Sequence, residues 1–115
     1  MIKEILEVGE LGVMPMKGDD VSIHYEGRLE DGTIFDSSYK RGKPFEVIIG
    51  IGRVVEGWDV GVMYMELGEK AVLTIREDYG YGKRDRGKIP GGSTMIFTVE
   101  LLAINGQEAN IPELV

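Results

Sequence analysis

The sequence predicts an α+β fold in which several short antiparallel strands pack one face against a single short helix. Three observations point to it: apolar residues alternate with polar ones in several segments, one segment switches to helical spacing, and the chain carries 17 glycines in 115 residues. That glycine content exceeds the usual share of about 7 % and implies many tight turns between short elements. A lone helix laid on one face of a sheet is a standard two-layer solution for burying a single core.

Taken in order, Ile2 to Val8 is the weakest strand candidate. From Val21 to Leu29, Val21, Ile23, Tyr25 and Leu29 alternate with Ser22, His24, Glu26 and Arg28, the pattern of a strand with one wet face. Asp31-Gly32 suits a tight hairpin turn into Thr33-Ile34-Phe35. Phe45, Val47 and Ile49 alternate in the same way, as do Ala71, Leu73 and Ile75, and then Met95, Phe97, Val99 and Leu101. Only Glu56 to Met65 departs from this period: Trp58, Val62 and Met65 fall at i, i+4 and i+7, on one face of a short helix, with Gly68 as its expected stop. Gly57 and Gly61 each cost that helix about 1 kcal/mol relative to Ala, so it must lean on the sheet. The expected domain is 1–104, and 105–115 reads as a C-terminal tail or the start of a linker.

The length suits one domain with one core. With no Cys, disulfides and thiolate metal sites are excluded. The first residues lack an uninterrupted apolar run with a cleavage site, and no run of about 18 apolar residues occurs. The expectation is a soluble cytoplasmic protein, without a membrane partner. A net charge of −7 opposes binding to phosphate backbones, so nucleic acid is not an expected partner.

Three candidates that would carry catalysis or nucleotide binding fail on inspection. His24 is the one histidine and alternates with Tyr25, so the two face opposite sides of their strand; no second His or Cys completes a metal set, and no G-x-S-x-G elbow accompanies it. Gly82-Lys83-Arg84-Asp85-Arg86-Gly87-Lys88 begins like a phosphate-binding loop. It continues with Ile89 in place of a hydroxyl residue, and Pro90-Gly91-Gly92 cannot easily start the required helix. Gly50-Ile51-Gly52 lacks the third glycine of a dinucleotide fingerprint and reads as a turn.

The remaining signal is aromatic. Tyr25, Phe35, Phe45, Trp58, Tyr79, Tyr81 and Phe97 lie in or beside the proposed elements, and each taken alone reads as core. Their settings are more specific: His24-Tyr25-Glu26-Gly27, Asp31-Gly32, Phe35-Asp36-Ser37-Ser38, Lys43-Pro44-Phe45, Val54-Val55-Glu56-Gly57-Trp58-Asp59, Asp78-Tyr79-Gly80-Tyr81-Gly82, Ile89-Pro90 and Phe97-Thr98-Val99-Glu100-Leu101. In that order, from about Gly18 to Ile104, the chain resembles the FKBP family of peptidyl-prolyl cis-trans isomerases.

The resemblance implies a curved antiparallel sheet of about five strands wrapped around one short α-helix, with a proline-binding pocket between them. It implies Trp58 as the pocket floor and Tyr25, Phe35, Phe45, Val54, Val55, Ile89 and Phe97 as walls. Tyr81 and the Val55 N–H become donors to ligand carbonyls, and Asp36 a carboxylate at the pocket edge with Arg41 as its charge partner. Tyr81, Asp36 and Trp58 are the expected catalytic residues. No cofactor or metal is implied; the implied ligands are proline-containing peptides and the macrolides tacrolimus and rapamycin, bound by a monomer. The alternative is a non-catalytic FKBP-like scaffold or chaperone module. One departure concerns the loop from Lys83 to Lys88, about one residue shorter than in typical small members and facing the pocket mouth in the family. It carries a net charge of +3 on an acidic chain. Solvated surface charge is its plain reading, and selection of acidic residues beside the substrate proline, or docking of an acidic partner, is the alternative.

Overall fold

The computed structural model describes residues 1–109, which form one antiparallel sheet with two short helices. The elements are β1 (Ile2–Glu7), β2 (Asp20–Leu29), β3 (Ile34–Ser37), α1 (Ser38–Arg41), β4 (Phe45–Ile48), α2 (Glu56–Met63), β5 (Lys70–Ile75), β6 (Met95–Ile104) and β7 (Gln107–Glu108). A single 3₁₀ turn, Glu77–Tyr79, follows β5. The strands run side by side as β1-β5-β6-β2-β3, with β4 on the first half of β2 and β7 on the end of β6.

Alternation in the sequence becomes one dry face. Ala71, Leu73 and Ile75 of β5, Val99 and Leu101 of β6, and Val21 and Ile23 of β2 are essentially inaccessible, while their neighbours reach solvent. Register places Leu73 beside Phe97 and Ala71 beside Val99, and across the other edge of β6 it places Tyr25 beside Val99 and Gly27 beside Phe97. Lining the apolar positions up in this way lets one helix cover them all.

That helix is α2, and its two glycines are explained by distance. A Cβ on Gly57 would stand 2.7 Å from three carbons of Ile75, and one on Gly61 would stand 2.9 Å from Leu73 Cδ1. The propensity lost in the helix is returned as close contact with β5. Trp58, Val62 and Met65 are buried on this face as the spacing requires. The helix is shorter than the sequence suggests: it ends at Met63, and i−3 bonds from Tyr64 to Gly61 and from Met65 to Val62 tighten the turn that follows. Gly68 lies beyond it, with φ +88°, in the turn into β5.

Two further features were not expected. A one-turn helix, α1, forms over Ser38–Arg41 because Ser37 accepts a bond from the Lys40 N–H and Gly42 closes it at φ 68°. At the sheet edge, Lys3 Nζ donates to the buried Glu69 carboxylate at 2.8 Å and to the Tyr64 carbonyl at 2.7 Å. This fastens β1 to the end of the helix. The expected tail is structured where it is described: Asn105 and Gly106 turn the chain so that β7 pairs with β6. Its remainder, 110–115, lies outside the described residues.

The tight approach predicts that Gly57→Ala destabilises the protein by about 1–3 kcal/mol in urea unfolding, although Ala favours an isolated helix by about 1 kcal/mol. A neutral or stabilising result would show that α2 can lift from β5 at little cost.

Candidate active site

The site begins at the middle of β2. Tyr25 points to the dry face, and the next residue on that side, Gly27, has no side chain. A Cβ there would come within 2.6 Å of Phe35 and 2.8 Å of Phe97, so the glycine makes room for two rings from the neighbouring strands. Phe45 arrives from β4, which pairs with the earlier part of β2, opposite Ile23. Trp58 comes down from the first turn of α2.

These rings brace one another edge to face. Trp58 lies at 82° to Tyr25 with centroids 4.8 Å apart, and at 82° to Phe97 at 5.2 Å. Phe45 meets Trp58 at 69°, and Phe35 meets Phe97 at 89°. In each pair a positive ring edge faces a negative ring face. Trp58 is only 4 % exposed, yet it is not sealed in a filled interior. Above it opens a cavity of about 300 Å³, lined by Tyr25, Phe35, Asp36, Phe45, Arg53, Val54, Val55, Trp58, Tyr81 and Phe97. That volume suits a small ring with its flanking backbone.

A closed polar network marks one edge. The Tyr25 hydroxyl donates to Asp36 Oδ2 and Arg41 Nη1 donates to Asp36 Oδ1. Arg41 Nη2 also donates to the Tyr25 hydroxyl at 3.0 Å, and the Ser37 N–H donates to Asp36 Oδ1 at 2.9 Å. Burial pushes the Asp36 carboxyl up, but the Tyr25 hydroxyl and Arg41 outweigh it and hold the group below its usual 3.8. Burial, reinforced by the Asp36 carboxylate, pushes the Tyr25 phenol up. The one-turn helix α1 is what brings Arg41 back over Tyr25, with its guanidinium carbon 5.5 Å from the ring centroid.

The opposite rim is loop, and it is held from below. Asp59 of α2 accepts from the Gly50 N–H at 2.7 Å and the Gly52 N–H at 2.8 Å, fixing the segment that leads to Arg53, Val54 and Val55. Val55 caps α2: its carbonyl accepts from Trp58 and Asp59, while its own N–H has no acceptor among the described residues. The Tyr81 hydroxyl is likewise without a partner there, and the Tyr81 side chain is partly exposed. Two unengaged donors therefore stand at the rim of a hollow walled mainly by aromatic rings, with Asp36 and Arg53 as its charged lining residues.

Of the residues expected from the sequence, Ile89 and Arg41 do not line the hollow. Ile89 is buried in an adjoining groove, and Arg41 stands behind Asp36, lining a separate groove with Lys43 and Phe45. Arg53, Gly27 and Asp59 were not anticipated. The Gly27 signal was legible, since a glycine inside an alternating strand marks a close approach. His24 faces away, with Nδ1 2.8 Å from Ser38 Oγ and its ring stacked on Tyr39.

The family model described as FKBP-type peptidyl-prolyl cis-trans isomerase matches residues 12–102. The chain belongs to that family. It is 58 % identical over 108 residues to "FK506-binding protein 1A" of Aspergillus fumigatus, covering 93 % of this chain and 96 % of that protein. It is 51 % identical over 108 residues, with the same coverage, to "Peptidyl-prolyl cis-trans isomerase" of Schizosaccharomyces pombe. With "FK506-binding protein 1" of Saccharomyces cerevisiae it shares 52 % over 98 residues, 84 % of this chain and 86 % of the yeast protein. This FKBP-type isomerase therefore aligns with nearly the full length of each of these relatives.

The Asp36 network gives the isomerase a testable acid dependence. Because the folded carboxyl titrates below 3.8, the stability it contributes is fully present above that value and is lost as pH falls through the lower folded value. Carbon-detected NMR titration should place the Asp36 midpoint below 3.8, and Arg41→Met should raise it. An unchanged midpoint would show that Arg41 does not hold the charge.

Proposed function

We propose that this hollow receives the proline of an X-Pro segment and lowers the barrier to rotation about the preceding amide bond, without covalent chemistry. The observation that carries this reading is an apolar, aromatic cavity above Trp58 whose rim holds two free donors, the Tyr81 hydroxyl and the Val55 N–H. The uncatalysed barrier is about 18–20 kcal/mol because rotation sacrifices amide resonance. Resonance places negative charge on oxygen and positive character on nitrogen, so the planar amide is more polar than the twisted one. Moving it from water into a hollow walled by Phe35, Phe45, Trp58 and Phe97 penalises the planar form more.

The residues divide by what they can contribute. Packing the prolyl ring on the indole supplies about 2 kcal/mol of apolar burial, felt equally by the planar and twisted forms, so it sets affinity. Tyr81 and the Val55 N–H hold the flanking carbonyls in a chain conformation that permits rotation, and only a contact that strengthens in the twisted state raises turnover. Asp36 keeps Tyr25 and Arg41 occupied with each other, so on that side of the hollow the charges are paired, while Arg53 stands on the loop side.

Tacrolimus, which is FK506, and rapamycin occupy the same hollow in this reading. The names of the Aspergillus and Saccharomyces relatives, both FK506-binding proteins, support the tacrolimus part of it. A scaffold without catalysis would bind the macrolide yet leave the exchange rate of a prolyl peptide unchanged, so one assay separates the two.

A protease-coupled prolyl peptide assay should show acceleration that tacrolimus abolishes. Trp58→Leu should chiefly raise KM. Tyr81→Phe and Asp36→Val should lower turnover by less, about three- to tenfold, the value of one hydrogen bond. Unchanged activity after Trp58→Leu would end the assignment of the hollow.

A further inference from the structure

We infer that the hairpin Arg86–Ile89 gives this site a preference for an acidic side chain beside the substrate proline, with Arg86 and Lys88 as the residues that confer it. The inference rests on the isomerase reading above and names a substrate class for it. Next to the hollow runs a second groove of about 390 Å³, lined by Phe35, Asp36, Tyr81, Arg86, Gly87, Lys88 and Ile89. It shares Phe35, Asp36 and Tyr81 with the hollow, so the two are continuous. A residue adjoining the proline has its Cα about 3.8 Å from the prolyl Cα, close enough for its side chain to enter the adjoining groove.

The backbone that carries these charges is held in place, and so is the Arg86 side chain. Arg86 and Ile89 exchange backbone bonds of 2.8 Å in both directions, and Asp85 accepts from the Gly91 N–H at 2.7 Å. Gly92 donates to the Gly82 carbonyl at 2.8 Å, and a Cβ on Gly91 would stand 2.1 Å from the Lys83 carbonyl oxygen, so only glycine lets the loop close this tightly. The Arg86 guanidinium carbon lies 4.9 Å from the Tyr81 ring centroid, a cation–π contact that fixes it at the boundary between hollow and groove.

What these cations lack is an anion. Among the described residues, neither Arg86 nor Lys88 takes part in an ion pair. Asp36 is the acid that lines the groove, and both its oxygens are engaged by Tyr25, Arg41 and the Ser37 N–H. Asp85, the acid within the loop, is turned to Gly91. The chain as a whole carries −7 and repels acidic peptides at long range. A short-range complement at the mouth is therefore readable against that background: it selects among peptides once they are in contact, and salt weakens it.

The test compares two peptide pairs, one with Glu or Gln immediately before the proline and one with Glu or Gln immediately after it. Exchange is followed by NMR, which needs no coupling protease. The quantity read is the ratio of kcat/KM for the Glu peptide to that for the Gln peptide, which cancels differences in folded fraction between variants. The expected ratio is about three to five in one pair at low ionic strength, the size of one exposed ion pair, falling towards one in about 0.5 M salt. Lys88→Gln should lower it part of the way towards one, and the double variant Arg86→Glu, Lys88→Glu should bring it below one. A ratio near or below one in both pairs while the Gln peptides still isomerise, or a preference that survives the double variant, would overturn the inference alone. Failure to isomerise any of the four peptides would instead overturn the isomerase reading beneath it.

Discussion

An aromatic-walled cavity of about 300 Å³ in a small protein ought to close, and what keeps this one open is the perpendicular bracing of its rings. Each empty volume forfeits contacts that collapse would recover. Collapse here requires Trp58 to tilt towards Phe45 or Phe97, and both already meet it edge to face. Tilting exchanges favourable edge-to-face contacts for poorer ones with no new partner gained. Tyr25 cannot yield either, because its hydroxyl is tied to Asp36 and Arg41 at the far end. The hollow is a property of rings fixed from several strands at once, and no single residue makes it.

The rigidity of that frame rests on places where a side chain is missing. Gly57 and Gly61 let α2 lie against Ile75 and Leu73, which sets the depth at which Trp58 enters. Gly27 admits Phe35 and Phe97 over the centre of β2. A longer residue at any of these points would move a ring by a fraction of its thickness, and the edge-to-face pairs tolerate little movement. The Asp59 carboxylate does the same work with hydrogen bonds, holding the Gly50 and Gly52 N–H groups so that Val54 and Val55 stay at the rim.

How much of this was legible depends on whether a feature is periodic. Strands β2, β5 and β6 were readable because one face is dry and the other wet, which forces alternation. α2 was readable because it breaks that period, but its end was not: the i−3 bonds after Met63 leave Met65 buried in a turn, where helical spacing and turn burial look the same. The aromatic walls were placed by their sequence settings together with the family resemblance. Arg53, one cation in a glycine-rich loop, has no pattern to betray it. Asp59 reads as an ordinary polar helix residue until the loop it grips is seen. α1 had local signals, Ser37 as cap and Gly42 as stop, but four residues are too few to show a period. The hairpin at Arg86–Ile89 was visible only as charge, since its bonds are backbone to backbone and leave no trace in side-chain identity.

The distribution of charge around the hollow also explains why amide rotation, and no harder reaction, suits this scaffold. Bond-breaking catalysis needs a nucleophile or a free acid–base group at the reacting atom. Here the carboxylate at the wall is fully engaged, and the histidine lies on the other side of the sheet against Ser38 and Tyr39. On the mechanism proposed above, rotation about an X-Pro bond needs only the aromatic walls and the two donors at the rim. The pairing of Tyr25, Asp36 and Arg41 contributes little to stability, about 0–1 kcal/mol for a half-exposed ion pair, and its larger consequence is geometric: it fixes the Tyr25 ring as one wall of the hollow.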